Sequence, residues 1–231
     1  PTLWPYINKA IRLVSNGAGW KVAQGMITNG VNLERVDRWD LLDWVRISLN
    51  TLEYQDDIDL SLIKGKTDLS FCYIYHSESY KFVPKIVNFA NEHKIVCRLA
   101  PDCIQPIDDI EKTMERARHD LSVHKDNKYV FLSDFNVDLF RKNNDCRIHL
   151  IKPCFYLDGW IYACPSAELA IEHDRKVSER ARVCRYNEIL TFYTHPKAIE
   201  AFDLDCSYCK YVQQQELLES LLTETKHNDF A

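Results

Sequence analysis

The chain has 231 residues, of which 46% are hydrophobic and 27% are charged, enough to bury one core and a small additional domain. Its net charge is −5 and its pI is about 5.9, so the basic surface of a nucleic-acid-binding protein is not expected. Because no apolar run reaches the roughly eighteen residues that a membrane-spanning helix needs, no membrane partner is expected.

Helices and strands alternate over the first 140 residues. Ile7, Ile11 and Val14 lie at helical spacing before Gly17, which predicts a first helix that ends there. Further helices are predicted over 33–43, 79–93 and 106–122, with a weakly patterned helical segment after residue 50. Strands are predicted to begin near residues 21, 44, 69, 94 and 128. This spacing of roughly two dozen residues is typical of βα units, and it predicts an α/β fold with a parallel sheet or barrel.

The pattern changes after residue 140. Two strand-like segments flank Asp158-Gly159, a pair that predicts a β-hairpin with a two-residue turn. A charged helix is predicted over 168–182, two short helices divided at Pro196 follow, and an amphipathic helix over 210–224 closes the chain. We therefore place a domain boundary near residue 141, dividing an α/β body over 1–140 from a cysteine-bearing domain over 141–231.

Nine cysteines are many for this length, and their odd number fits an extracellular disulfide framework poorly. No secretory segment precedes them, so reduced thiols in a cytoplasmic protein are expected. Cys72 and Cys97 lie in apolar strands, where a buried thiol with no chemical role is the simplest interpretation. Cys103 and Cys184 are expected in the core or on the surface rather than at a metal.

The remaining cysteines include a set that can hold a metal. Cys206 and Cys209 form a C-x2-C pair, predicted to lie in a loop, while Cys164 ends a hairpin strand and Cys146 precedes that hairpin. Together these four residues, the four-cysteine set, could bind zinc or an iron–sulfur cluster, because thiolates select soft metals. A two-residue turn would bring Cys154 close to Cys164, so Cys154 is the alternative first ligand.

The order and spacing of these cysteines are similar to a known pattern. The arrangement C-x12-G-x4-C followed by C-x2-C consists here of Cys146, Gly159, Cys164, Cys206 and Cys209. It resembles the auxiliary domain of radical SAM (S-adenosyl-L-methionine) enzymes, in the shortened "twitch" form of the SPASM domain. The resemblance implies that the four cysteines bind one [4Fe–4S] cluster.

The body resembles the partial (β/α)6 barrel, a TIM-like radical SAM core, in five weaker features. Pro1-Thr2-Leu3 is similar to the end of the family's Gly-Gly-Glu-Pro-Thr-Leu segment, and Ile27-Thr28-Asn29-Gly30 to the end of its third strand. Trp44–Leu49 is similar to its fourth strand, where a serine often contacts the cofactor. The strands at 69–76 and 94–100 take the places of the fifth and sixth strands.

The family's C-x3-C-x2-C loop, which holds the cluster that binds SAM, does not occur in these residues. We expect it before Pro1, so that the chain is an N-terminally truncated fragment of the barrel that lacks the first strands and is inactive alone. The alternative is a degenerate relative that only serves as a scaffold for partners.

The resemblance implies an oxidoreductase or maturase-type enzyme. SAM would be cleaved to a 5′-deoxyadenosyl radical that abstracts hydrogen from a peptide or small-molecule substrate. Flavodoxin or ferredoxin would be the electron donor, and the C-terminal cluster would relay electrons. The rival interpretation is a non-catalytic binding or scaffold module that is stabilised by zinc or by an iron–sulfur cluster.

No catalytic residue is assigned, but the carboxyl ends of parallel strands imply a cofactor-binding wall. Arg46, Ser48 and Asn50 alternate along one predicted strand and would share a face toward the SAM carboxylate and ribose. An internal hydrogen-bond network is the alternative for them, and a structural histidine is the alternative for His76. The expected cofactor-binding residues are Thr28, Asn29, Arg46, Ser48, Asn50, His76 and Arg98, with Tyr75 also at a strand end.

Overall fold

The computed structural model describes residues 2–17, 23–102, 107–133, 141–156, 158–165, 179–209 and 211–222, with only the backbone at 17, 107, 141–144 and 205–208. The chain divides into two compact units. The first comprises Pro1–Asp102 and Pro106–Phe135, and the second comprises Cys103–Gln105 and Asn136–Ala231. The main division, between Phe135 and Asn136, lies close to the boundary expected at residue 141.

The first unit is a mixed α/β structure built on a five-stranded parallel sheet, as the strand spacing predicted. Its strands are β1 (Gly25–Thr28), β2 (Trp44–Ser48), β3 (Asp68–Tyr75), β4 (Cys97–Pro101) and β5 (Val130–Leu132). Its α-helices are α1 (Ile7–Gly17), α2 (Val83–His93) and α3 (Ile107–Ser122). Pro84 lies in the first turn of α2, where the missing N–H of proline leaves no helical bond unmade.

The five strands lie side by side in the order in which they occur in the chain. A doubly wound sheet reverses its strand order at one point and carries helices on both faces, whereas this order has no reversal. Because parallel crossovers are right-handed, successive connections in one direction pack on the same face. The two faces of the sheet are therefore expected to differ, and the resemblance to a partial radical SAM barrel stays a prediction.

Burial along the strands distinguishes these two faces. One face is the core of the unit, where strand side chains pack with buried residues of the helices such as Ile86 and Ala90. Its strand residues are Met26, Val45, Ile47, Phe71, Tyr73, Tyr75, Cys97 and Leu99. The opposite face, called here the open face, keeps its side chains partly exposed. Its residues are Ile27, Trp44, Arg46, Ser48, Cys72, Arg98 and Phe131.

The helix predicted over 33–43 is wrong in detail. The segment forms two 3₁₀-helices, Leu33–Arg35 and Trp39–Leu41, because Val36 adopts an extended conformation between them (φ −100°, ψ 117°). Leu33, Val36 and Trp39 are all buried, and their spacing of three residues matches the three-residue turn of a 3₁₀-helix. A short 3₁₀-helix, Leu49–Glu53, also takes the place of the helical segment predicted after residue 50.

The second unit contains two small antiparallel sheets and short helices. In one sheet β6 (Arg141–Cys146) pairs with β10 (Phe202–Cys209). The other joins β7 (Cys154–Phe155), β8 (Trp160–Tyr162) and β9 (Arg182–Arg185). The two short helices divided at Pro196 are α4 (Ile189–Tyr193) and the 3₁₀-helix Pro196–Ile199, and the closing helix is α5 (Val212–Leu222). The charged helix predicted over 168–182 lies mostly outside the described residues.

The hairpin at Asp158-Gly159 exists, but its turn is longer than predicted. The Tyr156 N–H donates to the Trp160 carbonyl at 3.0 Å, and the Gly159 N–H donates to the Tyr156 carbonyl at 3.2 Å. With Gly159 at φ 83°, this is the hairpin turn that ends in a glycine bulge. The bulge moves the strand register by one residue, so Cys154 pairs with Tyr162 instead of Ala163.

Candidate functional site

Two arginines lie on either side of a cysteine on the open face of the sheet. Ser48, Cys72 and Arg98 form one row across three neighbouring strands, and Arg46 lies two residues before Ser48. Burial raises the pKa of the half-buried Cys72 thiol, whereas the charges of Arg46 and Arg98 and a hydrogen bond from Ser48 oppose that shift. Among the described residues neither arginine takes part in an ion pair, so this row favours an anionic group.

Trp44 lies two residues before Arg46 on the same face of β2. The Arg46 guanidinium lies 5.7 Å from the centroid of the indole, a cation–π contact. The same indole packs on Gly25 of the next strand, where an added Cβ would lie 1.9 Å from the ring atom Cε2. Glycine at position 25 therefore allows the indole to lie flat beside Arg46.

The sequence predicted that Asn50 shares a strand face with Arg46 and Ser48, and the structure shows that it does not. Strand β2 ends at Ser48, and Asn50 lies in the following 3₁₀-helix, where strand alternation no longer applies. Its amide bonds the backbone of Ile74 twice at 2.9 Å, as donor to the carbonyl and as acceptor from the N–H. The Asn50 side chain is therefore used to join the ends of β2 and β3, with Ser48 Oγ donating to Asn50 Oδ1 at 3.2 Å.

His76 belongs to a second network, centred on Glu53. The Glu53 Oε1 atom accepts from Tyr73 Oη at 2.8 Å and from Asn50 Nδ2 at 2.9 Å, and His76 Nε2 lies 3.2 Å from it. His76 Nδ1 accepts from the Glu78 N–H at 3.3 Å. Both ring nitrogens thus have protein partners, which favours the structural interpretation of His76 over a substrate contact. Tyr75 is also internal, since its hydroxyl donates to Asp120 Oδ2 at 2.5 Å.

A cavity of about 390 Å³ lies at the carboxyl ends of β1 and β2, the edge where parallel sheets bind ligands. Thr28 is buried, and its Oγ1 accepts from the Gly30 N–H at 3.3 Å. Asn29 Oδ1 accepts from the Val31 N–H at 3.2 Å. These contacts fix the loop after β1 around the cavity. The cavity is lined by Thr2, Leu3, Ile27, Thr28, Asn29, Val31 and Ser48.

Two cysteines of the four-cysteine set lie near a third, Cys146, in the second unit. The pKa of the Cys146 thiol is raised to about 11, mainly by burial and to a smaller extent by the Cys164 and Cys209 sulfurs. Both sulfurs are therefore within electrostatic range of Cys146, and Cys164 packs on the same apolar cluster as Cys146. The fold thus brings Cys209 near Cys146, which lies 63 positions earlier in the sequence.

Cys209 has surroundings that suit a thiolate. The Tyr211 N–H donates to its sulfur at 3.4 Å, and helix α5 begins directly afterwards at Val212. Backbone N–H groups and the positive end of a helix dipole both stabilise a sulfur anion. The C-x2-C pair lies in strand β10, not in the predicted loop, with irregular register on both sides of Cys206.

Cys154, the alternative first ligand, packs on the same apolar cluster as Cys146 and Cys164. Cys154 influences Tyr186 electrostatically, whereas the thiols acting on Cys146 are those of Cys164 and Cys209. The Cys206 side chain lies outside the described part. Within the described side chains, no three His, Cys, Asp or Glu groups are close enough to hold a metal ion. The described thiols therefore do not form a metal site by themselves, and a complete ligand set would also need Cys206.

Of the other described cysteines, two are buried in strands and one lies on the open face of the sheet. Cys97 is fully buried in β4, and burial raises its pKa, as expected for a core thiol. Cys184 is buried in β9. Cys72 differs from the expectation of a core cysteine, because it faces the open side of the sheet between two arginines. Cys103 lies outside the described residues.

The sequence analysis did not single out His149, which the structure buries completely among aromatic rings. Its Nε2 lies 2.8 Å from the Ala198 carbonyl, and no partner for Nδ1 occurs among the described residues. Burial is the main cause that lowers the pKa of His149, and the charge of Arg147 lowers it further. No spacing rule identifies such a residue, because a single histidine three positions after Cys146 has no pattern of its own.

We expect His149 to make the second unit less stable in acid. Because its folded pKa lies below the unfolded value of about 6.5, the unfolded state binds the proton first as the pH falls. Between pH 6.5 and 5, the free energy of unfolding of the wild type should fall by up to about 1.4 kcal/mol per pH unit more than that of His149→Phe. Above pH 7, the difference in unfolding free energy between the two proteins should be constant. Urea unfolding at several pH values measures this, and parallel curves would contradict it.

Comparison with known proteins adds no relative. No protein family matches the sequence, and no curated protein matches it. In the parts of the chain that the structure describes, no helix has the length and apolar character to cross a membrane.

Proposed function

We propose that this chain is part of a cytoplasmic radical SAM oxidoreductase that acts on a peptide or a small molecule. It contributes several strands of the partial barrel and a SPASM/twitch-type auxiliary domain with a [4Fe–4S] cluster. The observation that carries the proposal is the placement of Cys164 and Cys209 near Cys146 in the second unit. A reduced flavodoxin or ferredoxin supplies electrons, and the auxiliary cluster relays them.

The donor set of the second unit fits such a cluster. Cys146, Cys164 and Cys209 are thiol donors, and Cys206 lies in the same strand as Cys209. Without a cation, burial above all and the neighbouring sulfurs to a smaller extent raise the Cys146 pKa, so the site is costly to ionise. A bound metal centre removes that repulsion and keeps all ligands deprotonated. A cluster held by four thiolates supplies electron transfer without an open coordination position.

The open face of the first unit suits an anionic cofactor group. Arg46 and Arg98 present guanidinium groups in a row with Ser48, and a guanidinium can bind a carboxylate through two parallel hydrogen bonds. In the proposed enzyme these three residues bind the carboxylate and a ribose hydroxyl of SAM. SAM in turn supplies, when bound to its own cluster, a carbon-centred radical that removes a hydrogen atom from the substrate. Asn50 acts by orienting Ser48.

Two requirements separate this proposal from its rivals. The C-x3-C-x2-C loop must come from residues outside these 231, since the sequence itself does not contain it. The metal centre must contain iron and sulfide, because a zinc site built from four cysteines would have the same ligands and would favour a non-catalytic binding module.

Anaerobic reconstitution of the chain with iron and sulfide tests the proposal. We expect a brown protein that holds about four iron and four sulfide ions, as one [4Fe–4S] cluster requires. The spectrum should bleach on reduction with dithionite, as a redox-active cluster does. A colourless protein that retains one zinc ion per chain instead would reject the radical SAM assignment and support the zinc-stabilised module.

A further inference from the structure

A buried glutamine lies beside the four-cysteine set. Gln215 is on helix α5 and is only 3% exposed, while its neighbour Gln214 faces solvent. Its side-chain oxygen Oε1 accepts from the Arg147 N–H at 3.0 Å. Because Arg147 directly follows Cys146, this bond holds the Gln215 amide next to the Cys146 backbone.

The other end of the same amide has no acceptor. Gln215 Nε2 is buried without a hydrogen-bond partner among the described residues. A buried, unsatisfied donor costs roughly 1–3 kcal/mol, so a structure that keeps one is expected to satisfy it in another state. The Cys146 thiol belongs to the residue just before the Arg147 N–H that the same amide bonds, and it becomes a strong acceptor when a metal binds it as a thiolate.

We propose that Gln215 is a positioning residue of the thiolate site, donating from Nε2 to the Cys146 sulfur once that sulfur is a metal-bound thiolate. Its Oε1 stays on the Arg147 N–H, so the two ends of the amide have separate roles. The inference rests on the metal site of the proposed function and not on radical chemistry.

The start of helix α5 then lies beside two ligands of the same set. Tyr211, just before the helix, donates its N–H to the Cys209 sulfur, and four residues later Gln215 accepts the N–H of Arg147, the residue after Cys146. The Gln215 N–H donates to the Tyr211 carbonyl at 2.9 Å, which fixes these two positions relative to each other. Partners that hydrogen-bond metal ligands orient them, and removing one typically weakens metal affinity 10–100-fold.

Cobalt(II) is the probe, because thiolate coordination to Co²⁺ gives a charge-transfer absorption whichever metal the protein normally holds. The full chain is titrated with Co²⁺ under reducing, anaerobic conditions as wild type, Gln215→Glu, Gln215→Leu and the control Gln214→Leu. Gln215→Glu keeps an oxygen for the Arg147 N–H but replaces the donor with a carboxylate oxygen, whereas Gln215→Leu removes both groups.

We expect the control to bind Co²⁺ like wild type and both Gln215 variants to bind at least tenfold more weakly. Gln215→Glu should be the weaker of the two, because its carboxylate repels the thiolates. This order distinguishes the donor role from a purely structural one, in which Gln215→Glu would retain the Arg147 bond and bind like wild type.

Three results would overturn the inference: wild-type affinity in Gln215→Glu, wild-type affinity in Gln215→Leu, or a wild-type chain that gives no thiolate–cobalt absorption. If Gln215→Glu does not fold, the decision falls to Gln215→Leu, compared by its unfolding midpoint without metal. A wild-type chain that binds Co²⁺ through thiolates but assembles no iron–sulfur cluster would reject the radical SAM proposal while leaving the role of Gln215 supported.

Discussion

Replacing Cys209 with alanine is expected to abolish the proposed metal centre of the second unit. The variant loses the sulfur that accepts the Tyr211 N–H and that lies within electrostatic range of Cys146. After anaerobic reconstitution we expect bound iron to fall from about four per chain to less than one, with loss of the cluster absorption. Because binding of a structural metal contributes directly to folding, the second unit should also unfold at lower denaturant concentration.

Cys184→Ala is the matched control for this experiment. Cys184 is buried in the same unit, but it is not among the thiols that act on Cys146. It should retain its iron and lose only the stability expected of a small core truncation. Cys154→Ala tests the alternative ligand and should also retain iron. Equal iron content in Cys209→Ala and Cys184→Ala would show that the four-cysteine set does not bind the metal.

Replacing Glu53 with alanine is expected to destabilise the first unit by about 3 kcal/mol, since hydrogen bonds to a charged group contribute roughly 1.5–3 kcal/mol each and are not additive. Glu53 joins the end of β2 to β3 through Tyr73, Asn50 and His76. Its removal leaves the Tyr73 hydroxyl, at the end of a core side chain, without its acceptor. Urea unfolding followed by circular dichroism measures the free energy of unfolding.

Two further variants make the Glu53 result specific. Glu34→Ala removes an exposed glutamate from another 3₁₀-helix of the same unit and should change stability by less than about 0.5 kcal/mol. Glu53→Gln keeps one side-chain oxygen for Tyr73 and should lose less stability than Glu53→Ala. A loss below about 1 kcal/mol in Glu53→Ala would mean that water replaces the carboxylate and that the network does not hold β2 and β3 together.

Local patterns were sufficient for most elements but not for their ends. The spacing of Ile7 and Ile11 predicted α1, and the run of β-branched and aromatic residues that begins near residue 69 predicted β3, because each signal extends over several residues. Strand β2 was predicted to continue through Asn50, yet it ends at Ser48, where the Asn50 amide bonds the Ile74 backbone. That contact spans 24 residues, and no local propensity contains it.

The candidate site shows the same division. C-x2-C and the upstream cysteines identified a thiol-rich domain, because ligand chemistry follows from residue type. The register of the hairpin was not predictable in this way: Gly159 changes it by one residue through its bulge, so that Cys154 pairs with Tyr162. Nothing in the sequence singles out Gln215 among three consecutive glutamines, because only the packing of α5 decides which of them is buried.

By itself the sequence determined an α/β body of βα units, a cysteine-rich second unit and a net charge of −5, because composition and periodicity express these directly. Only the tertiary structure decided that the strands lie in chain order, that Arg46 and Arg98 lie near Cys72 on one face, and that Cys164 and Cys209 lie near Cys146. These are contacts between distant segments, and their geometry depends on strand register and helix packing, which a single local pattern does not specify.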